Sequence, residues 1–241
     1  MKITRLRAAA AFAVLGILLG AAPLAAQFEY QVDVMSRYIW RGFDLFPNNN
    51  PAFQPSITYS FGESGFSLNI WGSFSLGERD IYKYLDEIDL TLDYSFSPSE
   101  SVDMSVGFIN YGYYFIRDFT FKDDTSQEVY VSAGLPNVFF SPTVTAFYDF
   151  DFKLGEGLYV LLEGNHTLEL SERFGLDFYA GLGYSGKHDI DESGFSDLTL
   201  GLSLPIKLGD WRIVPRLNYT FVFLEAVNEE NELWFGISII R

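Results

Sequence analysis

The chain sets apolar side chains on alternate positions over segments far longer than an ordinary strand. From Phe28 the series runs through Tyr30, Val32 and Val34, then Tyr38 and Trp40. It returns at Phe66, Leu68, Ile70, Phe74 and Leu76, and again at Trp211, Ile213, Pro215, Leu217, Tyr219, Phe221 and Phe223. Alternation puts the apolar set on one face of a β-strand. Strands of soluble proteins are commonly about five or six residues long, whereas crossing a bilayer takes roughly 9–11. The pattern therefore points to lipid as the solvent of the apolar face.

The N-terminus agrees with that destination. Lys2, Arg5 and Arg7 precede an apolar run from Ala8 to Leu19, and Ala25-Ala26 offers a small-residue cleavage site. Residues 1–26 read as a secretory signal peptide, and residues 27–241 as one mature domain. A transmembrane helix fits this segment less well, because the run falls short of the ~20 residues a span requires. Charges, Gly or Pro interrupt every later apolar stretch. The chain has no cysteine, so disulfides and thiolate metal sites are excluded. Its net charge is −16, and removing the signal would make it more acidic. That balance disfavours nucleic acid, whose phosphates are bound by Lys and Arg. Aromatic residues make up 18%, a content suited to a lipid interface or a large core.

Twelve strands are expected, near 28–41, 52–61, 66–76, 84–96, 102–117, 127–135, 142–152, 158–170, 175–184, 196–204, 211–223 and 232–240. Short turns such as Gly62-Glu63-Ser64-Gly65 and Ser171 to Phe174 alternate with connections that are mostly longer and more polar, such as Gly42 to Pro51 and Ser185 to Phe195. This asymmetry and the even strand count predict an all-β, antiparallel, up-and-down transmembrane barrel with both termini periplasmic. A soluble β-sandwich also alternates, but aromatic residues at strand ends (Tyr38, Trp40, Tyr84, Tyr94, Phe96, Phe152, Tyr184, Trp211, Phe223) favour two interfacial girdles. The last strand ends at Arg241 rather than at the aromatic residue common in such barrels.

Three segments carry a family resemblance. They are Ser36-Arg37-Tyr38-Ile39-Trp40-Arg41-Gly42, Pro51-Ala52-Phe53-Gln54, and Gly65-Phe66 through Ile70-Trp71-Gly72-Ser73. Together they resemble the Gcw_chp family, also called TorF-type porins, most clearly over residues 28–76. The chain departs from the family's usual Asp or Asn at Arg37, and has Phe43-Asp44 where a Ser/Gln pair is common. The resemblance implies a Gram-negative outer-membrane barrel and names no solute.

The face opposite the lipid is where function is sought. By parity it holds Arg37, Arg41, Arg212 and Arg216, with Glu87, Asp89, Asp93, Asp149, Asp151, Glu163, Glu169 and Asp177. Barrel closure would gather Arg37, Arg212 and Arg216 on one wall, facing acidic strands. Two readings fit. The charges form a field across a narrow channel that orients charged solutes, or they form a salt-bridge network that fills the lumen. Arg41 is open in the same way: a solute contact at the mouth, or part of a tight exit from the strand at Gly42. The candidate binding residues are Arg37, Arg41, Asp89, Asp93, Glu163, Arg212 and Arg216. The lumen also receives large rings at Trp71, Tyr111, Tyr113, Tyr130, Phe147, Tyr159, Tyr179 and Trp234, so a wide pore is not expected.

Other chemistries are poorly supported. Neither His166 nor His188 has a Ser at a nucleophile–base spacing, so no enzyme is expected. The acidic runs at Asp189-Ile190-Asp191-Glu192, Asp123-Asp124 and Glu229-Glu230 lack a defined calcium spacing and read as solvated loops. No metal or cofactor is expected. The expected function is a narrow channel for passive diffusion of small hydrophilic solutes, mildly cation-preferring from its acidic excess. The alternative is a plugged barrel with a surface-recognition or membrane-stabilising role. Outer-membrane lipid, lipopolysaccharide and the barrel-assembly machinery are the expected partners.

Overall fold

Long alternating strands can satisfy every backbone group in lipid only by closing on themselves. The computed structural model describes residues 27–82, 85–112, 125–150 and 157–241. Residues 1–26, Tyr84, Tyr113, Asp123-Asp124, Asp151 and Phe152 lie outside the described residues.

The strands are β1 Gln27–Met35, β2 Ala52–Ser60, β3 Phe66–Ser75, β4 Glu87–Ser99, β5 Val102–Gly112 and β6 Thr125–Gly134. They continue with β7 Thr143–Asp149, β8 Gly157–Glu169, β9 Gly175–Gly186, β10 Ser193–Ser203, β11 Trp211–Val222 and β12 Glu232–Ile240. Each pairs antiparallel with its sequence neighbours, and β1 pairs with β12, so twelve strands form a closed up-and-down barrel. Closure is in register from Gln31↔Ile240 to Met35↔Gly236. A short strand at Ile206–Leu208 follows β10 and pairs with the start of β11. No described helix is long and apolar enough to cross a membrane.

Parity sorts the side chains as the alternation requires. Phe28, Tyr30, Val34, Phe66, Ile70, Leu92, Val106, Leu162, Leu217 and Phe235 are exposed on the outer face. Asp33, Gln54, Ser73, Glu87, Asp89, Glu128, Asp197 and Ser238 are buried inside. An apolar face this extensive has no place in water and suits lipid. Near the short-turn end, Phe28 meets Tyr59 at 4.8 Å and Phe66 meets Tyr94 at 4.6 Å, part of an aromatic girdle. Arg241 ends the chain 5.3 Å from the Trp211 ring centroid.

One element departs from expectation. The first strand does not run to Arg41; its pairing ends at Met35. The next residues turn into the lumen as a two-residue ribbon, with Ile39↔Asp44 and Trp40↔Phe43 paired around Arg41-Gly42. Both tip residues have positive φ, 51° and 88°. Two positive-φ residues make the tight hairpin turn that follows strand twist, and glycine takes such a conformation freely. A Cβ on Gly42 would also lie 2.8 Å from Val227 Cγ1, so the site needs glycine twice over. The alternating signal in Tyr38 and Trp40 is real but belongs to this inward ribbon.

Candidate functional site: the lumen

The inward segment fills the lumen at the end with the longer connections. Phe46, Tyr38 and Ala52 form its apolar core, with Trp40, Leu45 and Trp71 packed against them. Tyr38 donates to Glu87 at 2.9 Å, and Asn48 donates to Tyr82 of the short helix Arg79–Tyr82 at 2.9 Å. That helix is fastened by a two-pronged Arg79–Asp86 pair, 2.6 Å on each arm.

At the tip, Arg41 reaches the middle of the barrel. Its guanidinium donates to both oxygens of Glu128, at 2.7 and 2.9 Å. It lies 4.4 Å from the Trp40 ring centroid, 4.5 Å from Phe147 and 4.4 Å from Tyr159. Planar arginine suits such use: a fork for one carboxylate and flat faces for rings. Glu128 also accepts from Tyr111 at 2.8 Å. His188 Nε2 stands 2.6 Å from Glu128, and its Nδ1 stands 2.7 Å from Asp189. Burial opposes a charged His188, but the hydrogen bonds of Asp189 and Glu128 outweigh it and hold its pKa above the ordinary value. Asp44, in the same inward segment, is pushed up by burial and by the charge of Glu232, against the pull of Arg37. Glu128, Asp149 and His188 bring ligand atoms within 4.8 Å of one another. Arg41 already lies against two of these three residues.

The other end of the lumen is hollow. A cavity of about 810 Å³ runs from Tyr38 and Arg41 towards Ser203, Pro205, Arg212 and Ile240 near the short turns. Asn69, Trp71, Asp89, Tyr179, Arg216 and Trp234 are among its walls.

The seven candidate residues divide between these regions. Arg41, Asp89, Arg212 and Arg216 line the cavity. Arg37 does not join a basic wall with Arg212 and Arg216. It turns towards the inward segment and pairs with Glu232 and Asp44 while donating to Asn49. Asp93 accepts from Tyr130 and Ser95, and Glu163 accepts from Tyr179 at 3.0 Å. Sequence reasoning missed Glu128 and the burial of His188. Glu128 sits two residues before the lumen ring Tyr130, so parity alone locates it. His188 carries no such signal, because it lies in a connection and is drawn inwards by Glu128 and Ser185.

The Gcw_chp family, described as a bacterial protein of unknown function, matches residues 20–217. The chain belongs to the Gcw_chp family. A search of curated proteins finds no match. Among solved structures it is similar to the KdgM porin, with TM-score 0.58 and 9% identity, covering 88% of this chain and 97% of that one. The NanC porin gives TM-score 0.54 and 12% identity over 87% of this chain and 98% of that one. The COG4313 outer membrane channel from Pseudomonas putida F1 gives TM-score 0.52 and 10% identity, covering 92% and 96%. At these identities the likeness concerns the fold: this Gcw_chp barrel has the architecture of outer-membrane porins and channels.

Proposed function

We propose that this barrel is a narrow outer-membrane channel for passive diffusion of small hydrophilic solutes. In this reading the inward segment 36–50 is its constriction. The observation that carries it is the cavity of about 810 Å³ that extends from Arg41 to Arg212 and Arg216, with charged and polar groups set among aromatic and aliphatic walls. A barrel serving only as a membrane scaffold has no need of such a space, which side chains of small barrels ordinarily fill. Arg41, Asp89, Arg212 and Arg216 are its candidate solute contacts. Arg37, Asp93 and Glu163 are held by neighbours and shape the wall. The protein is exported with residues 1–26 as its signal, inserted by the barrel-assembly machinery, and surrounded by lipid and lipopolysaccharide.

The test is planar-bilayer recording of the refolded mature chain. Small, discrete conductance steps are expected, enlarged by Arg41→Ala. A wild-type barrel without steps overturns the reading. The packed end of the lumen, with Arg41 enclosed by three rings, favours a second reading in that event: a closed barrel that acts through its surface connections.

A further inference from the structure

The end of the cavity near the short turns carries charges of both signs that do not meet. Thr167, Asp177, Ser203 and Arg216 lie side by side in register on β8, β9, β10 and β11. All of them line the cavity, as does Arg212 further down β11. Asp177 is half-buried and accepts from Thr167 at 2.8 Å and from Ser203 at 3.3 Å. A carboxylate offers about four acceptor positions, so these two hydroxyls do not fill it. Arg216 donates from Nη2 to Ser238, whose hydroxyl is turned to Asp33, and its Nε is buried. Its Nη1 is neither buried nor hydrogen-bonded among the described residues. Arg212 is exposed. Two strand spacings, roughly 10 Å, separate the backbone of Asp177 from that of Arg216. Among the described residues, neither arginine has a carboxylate at ion-pair distance and Asp177 has no cation.

The other carboxylates of the cavity lie elsewhere. Asp89 stands opposite Trp71, which packs on the inward segment. Asp197 lies behind Gly42 at the hairpin tip and accepts from Tyr159 at 3.1 Å. Both belong to the end that Arg41 occupies. Asp33 is buried and held by Gln31 and Ser238. The rung itself therefore offers one carboxylate with free acceptors and two guanidinium groups with free donors, on one arc of wall. A simple anion meets the charge of Asp177, and a simple cation meets those of Arg212 and Arg216. A molecule with both charges leaves neither side unmatched, and such discrimination uses repulsion as well as attraction. We propose that this rung binds the zwitterion of a small amino acid, with its ammonium on Asp177 and its carboxylate on Arg216 and Arg212. The proposal rests on the channel reading for the route by which solute arrives, and it gives that channel a substrate class. An open, hydrated rung binds weakly, as conduction requires, because a bound solute must also leave.

The test is a saturation-transfer NMR titration of the refolded mature chain in detergent with three probes of similar size: alanine, propionate and ethylammonium. Alanine should bind at least about tenfold more tightly than either analogue, the order expected of one charge-assisted hydrogen bond. Asp177→Asn should erase the advantage of alanine over propionate and keep that over ethylammonium. Arg216→Gln should do the opposite. Heat-dependent gel mobility confirms that each variant is folded, and Arg212→Gln, at an exposed position, takes the place of Arg216→Gln if the latter fails that check. Alanine binding no more tightly than one of its analogues, or an advantage over propionate unchanged in folded Asp177→Asn, overturns the site. Conductance is read separately. A preference for alanine without conductance keeps the site and rejects the channel; conductance without preference does the reverse.

Discussion

The two halves of this lumen are built from the same strands and treat charge in opposite ways. Towards the longer connections, charges are paired and each carboxylate is buried: Arg41 with Glu128, Arg37 with Glu232, Arg79 with Asp86. Towards the short turns, Arg212 and Arg216 face a cavity with room for roughly 25 waters at ~30 Å³ each. The difference comes from segment 36–50 rather than from the wall. Where that segment enters, it displaces water, and each charge then needs a partner to offset desolvation. Where it ends, the wall charges keep a solvated face. The barrel is closed by strand pairing in both halves, so packing of the lumen is an addition to the fold and not a condition of it. Arg41 marks the boundary.

The largest effect that sharpens this contrast is expected at that boundary. Arg41→Ala leaves Glu128 buried beside His188 and removes a cation from between three rings. Breaking one side of a buried pair commonly costs about 3–5 kcal/mol. The loss should appear in denaturant unfolding of the refolded barrel, together with larger conductance. Arg41→Lys keeps the charge but loses the fork and should fall between. If Arg41→Ala costs no more than a change in the hollow half, the packed half is not held by its charges.

Gly42→Ala probes the turn that delivers Arg41. Its φ of 88° and the 2.8 Å approach of Val227 both oppose a side chain. The expected cost is about 1–3 kcal/mol, with altered conductance because the ribbon must shift.

The paired half should also be sensitive to pH. The folded protein holds the His188 pKa above 6.5, so it binds that proton more tightly than the unfolded chain. The resulting stabilisation is fully present below the unfolded value near 6.5 and is lost as pH rises through the raised folded value. Groups facing the imidazole are Glu128, Asp189, Asp149, Arg41, Tyr159 and Trp40. Melting temperature should therefore fall as pH rises above about 6.5, and this limb should flatten in His188→Gln. A wild-type profile that rises over the same range would show that the Glu128 and Asp189 contacts do not hold the proton.

The wall was legible in the sequence because a period of two admits little else at these lengths. β12 lies at Glu232–Ile240, where the alternation of Leu233, Phe235, Ile237 and Ile239 puts it. Lumen parity was equally readable, since Trp71, Tyr111, Phe147, Tyr159, Tyr179 and Trp234 all face the cavity. The inward segment was not legible. Tyr38 and Trp40 alternate in a short ribbon as they would in a wall strand, and local pattern does not distinguish the two. Which carboxylate meets which arginine was also hidden, because strand order fixes neighbours but not depth or side-chain reach. Counting acidic residues pointed to a cation-preferring lumen. The count does not say which charges are paired: Arg37 and Arg41 meet carboxylates, while among the described residues Arg212 and Arg216 have none at ion-pair distance.

The smallest stability effect is expected at Arg212. Arg212 is exposed, lines the cavity, and has no carboxylate partner among the described residues. Substitutions away from buried contacts usually fall within about ±0.5 kcal/mol, so Arg212→Gln should leave unfolding nearly unchanged. Its effect should lie in the field of the hollow half. Removing a positive charge from a narrow aqueous path favours cations, so the reversal potential in a salt gradient should move towards the cation limit. The same change at Arg37 should behave oppositely, with a clear stability loss from unpaired Glu232 and little change in selectivity. If both variants alter selectivity alike, the two halves form one electrostatic compartment and Arg41 does not divide them.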